Sequence, residues 1–381
     1  MIDPGFLNGL LSINNVDFFT GVPDSLLKNF CAWVTGNIPE KNHIIAVNEG
    51  AAIAMASGYH LATGKIPLVY MQNSGIGNAV NPLLSLADED VYKIPVILLV
   101  GWRGEPGVKD EPQHLKQGKV TCALFDAMKI PYLVLSDDEK EAKNQVEDAL
   151  KCIKKDNTPY ALIVKKDTFA PYTPEKNKNS DIVSAKEDKM SREEAIEEIV
   201  RSSSPGEIFV STTGMASREL YELRDKYQMD HEHDFLTVGS MGHASSLALI
   251  LALQKPALTI NCVDGDGAVL MHLGALPAIA VQKPANLRHF VLNNGAHDSV
   301  GGQPTIARKI DLPGIARSSG YANVYSVSTP EELRGALQNK NGPVFIEVKV
   351  RKGNRKDLGR PKSSPQENKE AFMRILGGNK A

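Results

Sequence analysis

Continuous apolar runs alternate with amphipathic stretches along most of the chain. Residues 67–72 and 95–100 are mainly apolar and are bounded by turn-forming residues, which is typical of parallel strands buried on both faces. Residues 26–34 and 138–152 instead carry apolar side chains at helical spacing. This alternation of strand and helix predicts an α/β fold in which helices cover both faces of a parallel sheet.

The same pattern assigns elements to both halves of the chain. In the first half we expect strands at residues 18–21, 43–47, 67–72, 95–100, 132–135 and 160–164. Helices are expected there at residues 4–11, 26–34, 49–62 and 138–152. In the second half we expect a helix at residues 268–281 and strands at residues 207–211, 235–238, 258–263, 289–292, 324–327 and 344–350.

A polar, charge-mixed segment at residues 173–189 separates the two halves. Its low apolar content is typical of a surface linker. Ser191 and Glu194 follow it with the spacing of a capping box, which predicts a helix that runs to Ser202. Because a chain of 381 residues suits two domains, we expect one at residues 1–172 and another at residues 190–381.

Composition and charge argue against several classes of partner. Apolar residues make up 42% and charged residues 23%, which is ordinary for a globular protein. The net charge of −2 gives no reason to expect binding to nucleic acid or to a membrane surface. The sequence has no apolar run long enough to span a membrane and no signal-peptide pattern at its start. We therefore expect a cytoplasmic location.

A glycine-rich loop follows the predicted strand at residues 258–263. Its sequence is Asp264-Gly265-Asp266-Gly267, and ligands of α/β sheets bind at such loops after the carboxyl ends of strands. Glycines let the backbone approach a phosphate closely, and Asp266 offers a carboxylate oxygen to a metal ion. A simple turn would explain this loop equally well if it stood alone.

Asn293-Asn294 follows the next predicted strand, at residues 289–292. The two strands flank one predicted helix and should be neighbours in the sheet, which brings Asp266 and Asn294 together. A carboxylate, an amide oxygen and a backbone carbonyl, completed by water and two diphosphate oxygens, form the octahedral oxygen site that Mg²⁺ prefers. The paired spacing therefore favours a diphosphate–metal site over two unrelated turns.

This segment resembles the diphosphate-binding signature of the thiamine diphosphate (ThDP) enzymes. The resemblance implies that ThDP and Mg²⁺ are the cofactors, and that the metal is held by Asp266, Asn294 and the backbone carbonyl of Ala296. It also implies an α/β fold of two tandem ThDP-binding-type domains, the pyrimidine domain first and the diphosphate domain second. The residues expected to contact the cofactor in this segment are Gly265, Asp266, Gly267, Ala268, Asn294 and Ser299.

Gly239-Ser240-Met241 follows the short predicted strand at residues 235–238. It is similar to the place where pyruvate-decarboxylase-like enzymes carry a bulky apolar residue that bends ThDP into a V shape. The resemblance implies that Met241 has this function and that the carbonyl of Gly239 accepts a hydrogen bond from the 4′-amino group of the cofactor. A core methionine beside a glycine turn is the alternative.

Glu49 lies between the predicted strand at residues 43–47 and an Ala-rich helix. An acidic side chain at a helix N-terminus often only compensates the helix dipole. In ThDP enzymes, however, a glutamate at this junction shares its proton with N1′ of the aminopyrimidine. The resemblance therefore implies that Glu49 is the general acid–base group that activates the cofactor.

Asp24, Ser25 and His114 are the candidates for substrate contact. Asp24 and Ser25 belong to a Gly-Val-Pro-Asp-Ser loop similar to one that points at the substrate in pyruvate-decarboxylase-like enzymes. Asp24 could equally be the N-cap of the helix at residues 26–34. His114 stands where that family often places active-site histidines, and a surface histidine in a loop is the competing interpretation.

The absence of a middle domain narrows the resemblance. Two domains joined by residues 173–189 resemble the phosphonopyruvate decarboxylases, or a fusion of the two sulfopyruvate decarboxylase subunits. The former convert 3-phosphonopyruvate into phosphonoacetaldehyde and CO₂ in phosphonate biosynthesis. Arg103, at the end of the strand at residues 95–100, is expected to bind the phosphonate. Three lysines are expected on the loop after it: Lys109, Lys116 and Lys119.

Val300 stands where pyruvate decarboxylase has a second catalytic glutamate, which argues against plain pyruvate as the substrate. His114 and His297 are the candidates for protonating the enamine. The resemblance also implies a homo-oligomer, at least a dimer, whose active sites are shared between subunits. A non-catalytic ThDP-binding protein is the remaining alternative. A Rossmann dehydrogenase would need a Gly-x-Gly-x-x-Gly motif that this sequence lacks.

Overall fold

The computed structural model describes residues 1–173, 190–339 and 341–377. Apart from Thr173, the predicted linker at residues 173–189 lies outside the described residues. The chain divides into two compact units, Met1–Ser180 and Asp181–Ala381.

The first unit is built on a six-stranded parallel sheet with the strand order β2-β1-β3-β4-β6-β5. Its strands are β1 (Phe19–Gly21), β2 (His43–Ile45), β3 (Leu68–Gln72), β4 (Ile97–Gly101), β5 (Tyr132–Val134) and β6 (Tyr160–Val164). Its helices are α1 (Pro4–Ile13), α2 (Lys28–Asn37), α3 (Glu49–Thr63), α4 (Ile76–Pro82), α5 (Pro112–Ala127) and α6 (Glu139–Asp156).

The inner strands of this sheet are buried on both faces. Along β3, Leu68 and Tyr70 belong to one apolar cluster, whereas Val69 and Met71 belong to a second cluster. Side chains of a strand alternate between faces, so two clusters on one strand mean that helices cover both sides. This is why the strands appear in the sequence as continuous apolar runs.

The second unit repeats this topology with the strand order β13-β14-β10-β9-β7-β8. Its strands are β7 (Ile208–Ser211), β8 (Asp234–Leu236), β9 (Ile260–Gly265), β10 (Leu287–Asn293), β13 (Asn323–Val327) and β14 (Val344–Lys349), with a small antiparallel pair β11 (Ala296–His297) and β12 (Gln303–Pro304). Its helices are α7 (Arg192–Ser202), α8 (Met215–Lys226), α9 (Ala244–Gln254), α10 (Asp266–Met271), α11 (Ala275–Gln282), α12 (Leu312–Ser319), α13 (Pro330–Leu337) and α14 (Pro365–Ile375).

In each sheet the strand order reverses beside the first strand. In the first unit the chain leaves β1 toward β2 on one side and returns to β3 on the other. In the second unit β7 is flanked in the same way by β8 and β9. Ligands of open α/β sheets bind at the carboxyl ends of the strands beside such a reversal. The loops after β1, β3, β7 and β9 are therefore the places where the fold favours a site.

The predicted α/β class with two parallel sheets is confirmed, and every predicted strand is present within a few residues. The capping box of Ser191 and Glu194 also forms. The single helix predicted at residues 268–281 is wrong, because His272 leaves the helical conformation (φ −131°, ψ 52°) and separates α10 from α11. Within the described residues, no helix is both long and apolar enough to cross a membrane.

Candidate active site

The loops after β9 and β10 lie side by side, as the sequence predicts. The two strands pair in parallel with Leu292 opposite Gly265. Asp266 directly follows β9 and Asn294 directly follows β10, so both side chains begin at the same edge of the sheet. The closeness of Asp266 and Asn294 therefore follows from the register of these two strands alone.

Asp266 is a buried carboxyl group at the start of α10. Its side chain is only 3% exposed and accepts a hydrogen bond from the hydroxyl of Thr305. Burial raises the pKa of Asp266 to about 6. A buried carboxylate is stabilised by a bound cation, and a Mg²⁺ ion with diphosphate oxygens around it meets this need.

Asn294 is held in one orientation by hydrogen bonds at both ends of its amide. Nδ2 donates to Oδ2 of Asp298 at 2.6 Å, and Oδ1 accepts from the backbone amide of Ala296 at 2.9 Å. The turn that carries Ala296 is thus tied to the asparagine side chain. A carboxylate, an amide oxygen and this turn lie at one edge of the sheet, so the residues present fit a metal–diphosphate group.

Gly267 is the point where three predicted site segments meet. A Cβ at this position would lie 3.0 Å from Cε1 of His297 and 3.3 Å from Cε of Met241. Met241, the Gly-Asp-Gly loop and the turn after Asn294 therefore surround one point. An alanine at position 267 would crowd both neighbours, so these side chains would have to shift by a few tenths of an ångström.

His297 and Ser299 continue the turn after Asn294. Burial lowers the pKa of His297 to about 4, so its imidazole is neutral at physiological pH. Ser299 lies over the start of α8, because a Cβ on Gly214 would stand 2.8 Å from its hydroxyl oxygen. The turn is thereby fixed between α8 and α10.

Glu49 is the first residue of α3, yet it does not cap the helix. Asn48 is the N-cap, and its side chain accepts from the backbone amide of Ala51 at 2.8 Å. The carboxyl of Glu49 is buried, and its Oε2 accepts from Nδ2 of Asn78 at 2.8 Å. A Cβ on Gly75 would lie 2.4 Å from Oε1. Gly75 makes room for the carboxyl and Asn78 orients it, which dipole compensation alone does not require.

Asp24 is fully buried between β1 and β3, where the strand order reverses. Its Oδ1 accepts from Nε2 of Gln72 at 2.7 Å and its Oδ2 accepts from the amide of Leu26 at 2.9 Å. Burial raises the pKa of Asp24. Helix α2 begins at Lys28 with Leu27 as its N-cap, so Asp24 is not the helix cap that was the alternative.

Arg103 follows β4 and forms a two-point ion pair that the sequence did not predict. Its Nε and Nη2 donate to the carboxylate of Asp110 at 2.8 and 2.5 Å, and its Nη1 donates to the hydroxyl of Ser25 at 2.8 Å. The hydrogen bond to Asp110 raises the pKa of Arg103. The guanidinium therefore stays charged, with a neutral hydroxyl as the acceptor at Nη1.

His114 lies in the first turn of α5, so the description of it as a surface histidine in a loop is wrong. It is 9% exposed, and its Nδ1 has no hydrogen-bond partner among the described residues. Burial, with a contribution from Arg103, lowers the pKa of His114 to about 4. Lys116 and Lys119 also lie on α5 rather than on a loop, and only Lys109 precedes the helix.

Two family models match this chain. The N-terminal TPP-binding domain of the thiamine pyrophosphate enzymes matches residues 6–128, and the C-terminal TPP-binding domain matches residues 212–348. The chain belongs to the thiamine pyrophosphate enzymes. The two matches fall on the two parallel sheets, one on each unit.

Curated relatives place the chain within this family. It is 35% identical to the phosphonopyruvate decarboxylase of Streptomyces hygroscopicus, over 95% of this chain and 90% of that protein. It is 34% identical to the phosphonopyruvate decarboxylase of Streptomyces viridochromogenes, over 93% and 90%. It is also 30% identical to the sulfopyruvate decarboxylase of Methanosarcina acetivorans, over 96% of both chains. The chain is therefore a ThDP-dependent decarboxylase of 2-oxo acids.

Thr212 lies beside the candidate site, and the sequence analysis did not identify it. It directly follows β7, on the other side of the strand reversal from Gly265, and its methyl group would lie 4.0 Å from a Cβ on that glycine. Its hydroxyl is buried without a hydrogen-bond partner in the described part of the chain. A buried donor without a partner is rare and fits a bound oxyanion.

A second group of polar side chains lies within β9 and β10, the strands that precede the loops of Asp266 and Asn294. Cys262, Asp264 and His289 are buried, and one potential ligand atom from each lies within 4.8 Å of the others. Burial, with a contribution from Asp264, raises the pKa of Cys262 well above its usual value. All three side chains are fully buried, and His289 lies 3.5 Å from Asp264 and 3.2 Å from the hydroxyl of Tyr321, so we assign this group to the interior of the second unit.

Proposed function

We propose that the chain decarboxylates 3-phosphonopyruvate to phosphonoacetaldehyde and CO₂, with ThDP and Mg²⁺ as cofactors, in phosphonate biosynthesis. The observation that carries this proposal is the match with two phosphonopyruvate decarboxylases along nearly the whole chain. When bound, the cofactor supplies a carbanion that adds to the 2-oxo carbon and then accepts the electrons left by CO₂.

In this proposal Asp266, Asn294 and the carbonyl of Ala296 hold the metal. The cofactor is held by the Gly265–Gly267 loop, Ala268, Ser299, Met241 and the Gly239-Ser240 turn. Glu49 exchanges a proton with N1′ of the aminopyrimidine, with Asn78 keeping its carboxyl in place. These contacts bind, orient and protonate the cofactor and leave the choice of substrate to other residues.

Arg103 is the residue we propose for the second anionic group of the substrate. Its contact with the hydroxyl of Ser25 is a neutral hydrogen bond, and a phosphonate oxygen is a stronger acceptor for the same guanidinium. Asp110 holds the other edge of the guanidinium and fixes its direction. Asp24, Ser25 and His114 complete the proposed substrate surface. His114 or His297 passes on the final proton, which its neutral imidazole must first take up at one ring nitrogen before it donates from the other.

Sulfopyruvate decarboxylation is the second candidate, because the relative from Methanosarcina acetivorans matches the chain over the same length. The test is to measure turnover of phosphonopyruvate and sulfopyruvate in parallel, with and without ThDP and Mg²⁺. We expect faster turnover of phosphonopyruvate that depends on both cofactors. Faster turnover of sulfopyruvate would replace the proposed substrate while leaving the cofactor assignment intact.

We also propose that the chain forms a homo-oligomer of at least two subunits. Leu247, Ile250 and Leu253 recur at helical spacing on α9, and they are 43%, 56% and 37% exposed. An exposed apolar stripe of this kind is typical of an interface. A second copy of this chain is the partner we infer.

A further inference from the structure

Asp298 fixes the nitrogen end of the Asn294 amide, and the backbone amide of Ala296 holds the oxygen end. The two ends of an asparagine amide are nearly the same size, but only the oxygen binds a metal ion. Asp298 is an acceptor, so the group that faces it at 2.6 Å must be Nδ2 of Asn294. Oδ1 is thereby directed to the opposite side, toward the turn of Ala296.

Asp298 is itself held in place by a buried ion network. Its Oδ2 accepts from Nη1 of Arg192 at 3.1 Å and from the amide of Gly353 at 2.9 Å. Arg192 also donates to both carboxylate oxygens of Glu219, at 2.7 and 2.8 Å. The side chains of Arg192, Glu219 and Asp298 are 8%, 1% and 9% exposed.

Such a network adds little net stability, because the free-energy cost of removing three charges from water offsets much of their mutual attraction. What it does provide is a fixed acceptor at one position in space. The amide of Asn294, the residue proposed as a metal ligand, donates to this acceptor. The groups that hold the acceptor in place come from α7, α8 and the segment after β14. The network therefore specifies a geometry more than it strengthens the fold.

We propose that Asp298 is a positioning residue for the Mg²⁺ site and acts through Asn294, with Arg192 and Glu219 fixing Asp298. The inference rests on the proposed function, because it takes Asn294 as a metal ligand. Without Asp298 only the backbone amide of Ala296 holds the side chain, and the cost of turning its nitrogen toward the metal falls. Loss of partners that orient metal ligands typically lowers metal affinity about 10–100-fold.

The test is a calorimetric titration of the ThDP-loaded protein with Mg²⁺. We expect D298A to bind Mg²⁺ about 10–100-fold more weakly than the wild type. D298N should stay within a few-fold of the wild type, because its amide oxygen can take the place of Oδ2. The matched control is D234A, which breaks the buried Arg224–Asp234 pair of the same unit and should leave Mg²⁺ affinity unchanged.

The same D298A change in an N294D variant distinguishes an effect on the orientation of residue 294 from an effect of the charge of Asp298. In N294D both ends of the side chain are oxygens, so either end can face the metal. Asp298 then no longer selects an orientation, and its carboxylate repels the new carboxylate at position 294. D298A should then leave Mg²⁺ affinity unchanged or raise it. An equal loss in both backgrounds, or no loss in the wild-type background, would overturn the proposal.

The failure of the proposed function gives a different result. If N294A binds Mg²⁺ as tightly as the wild type, Asn294 is not a ligand and the inference about Asp298 falls with it. If the wild type binds ThDP and Mg²⁺ but does not turn over phosphonopyruvate, only the substrate assignment fails. The titration of D298A remains decisive in that case, because it measures binding and not turnover.

Discussion

At the scale of single residues, Glu49 has surroundings built for a carboxyl group. Asn78 donates to one oxygen, and Gly75 leaves room for the other. A glutamine at position 49 keeps the size of the side chain but has no acidic proton to exchange. We therefore expect E49Q to lose decarboxylase activity by at least about 100-fold, the usual size of an acid–base contribution.

The measurement for this prediction is steady-state decarboxylation together with a ThDP-binding titration. Binding should persist, because Glu49 is proposed to act on one nitrogen of the cofactor and the proposed diphosphate contacts belong to the second unit. The control is E40Q, a change at an exposed glutamate on the same unit that should have wild-type activity. A fully active E49Q enzyme would remove Glu49 from the proposed mechanism.

Arg103 is the residue on which substrate choice depends in our proposal. R103M removes the charge that would pair with a phosphonate, and hydrogen bonds to charged groups contribute about 1.5–3 kcal/mol. We expect the KM for phosphonopyruvate to rise at least about tenfold. K109M is the control, because Lys109 is an exposed cation a few residues away. Equal effects of the two changes would point to general attraction of anions instead.

His114 should make the folding stability of the protein depend on pH. Its pKa is lowered from 6.5 to about 4, so between these values the unfolded chain binds the proton and the folded chain does not. Folding stability from this group is present above pH 6.5 and is lost as the pH falls toward 4. Linkage sets the loss between pH 7 and pH 5 at about 2 kcal/mol.

H114N should flatten this dependence, because asparagine does not titrate. Thermal unfolding of the wild type and of H114N at pH 7 and pH 5 measures the effect. Between pH 7 and pH 5, the midpoint temperature of unfolding should fall more in the wild type than in H114N. An NMR titration of the histidine Cε1 protons provides a direct check, with the resonance of His114 identified by its absence in the variant.

At the scale of elements, the sequence pattern predicts the strands of both parallel sheets but leaves several helices unpredicted, and α5 shows why. Strands buried on both faces are apolar throughout, so the pattern is unambiguous. The buried stripe of α5 has regular helical spacing but is made of His114, Gly118, Thr121 and Phe125. Because three of these four are polar or small, the stripe carries no apolar periodicity and the segment looks like a loop.

Candidate site residues could be predicted from the sequence where they belong to a local motif, and not where they act through tertiary contacts. Asp266 and Asn294 follow strands directly and carry a local motif, so their meeting follows from the topology alone. Asp298, Asp110 and Asn78 act by contacting side chains that other elements supply. Contacts of this kind depend on packing that no spacing in the sequence encodes.

Gly118 allows α5 to approach the loop that carries Arg103. A Cβ on Gly118 would lie 1.7 Å from the backbone oxygen of Gly104, so G118A must push the helix and the loop apart. We expect a lower unfolding temperature and a higher KM for phosphonopyruvate. G58A is the matched control, since Gly58 lies on α3 with open space around it and alanine should be neutral or slightly stabilising there. Unchanged KM in G118A would mean that the loop tolerates the displacement.

At the scale of the whole molecule, one topology is used twice. Both sheets have the same strand order, and part of each candidate site lies beside the reversal in that order. Asp24 and Gln72 lie there in the first unit, and Thr212 and Gly265 lie there in the second. The repeated fold therefore supplies two different edges, one proposed for the pyrimidine and substrate and one for the diphosphate and metal.

Self-association is the last prediction, and it follows from the exposed stripe on α9. I250K places a charge at the centre of Leu247, Ile250 and Leu253, where burial against a second copy would leave it without a partner. We expect the wild type to sediment as a dimer or larger, and I250K to shift toward the monomer in analytical ultracentrifugation. I13K is the control, because Ile13 is 81% exposed on α1 and is not part of the stripe. If the sites are shared between subunits, the activity of I250K should also fall on dilution and recover at high protein concentration. An I250K protein that stays fully associated would remove α9 from the interface.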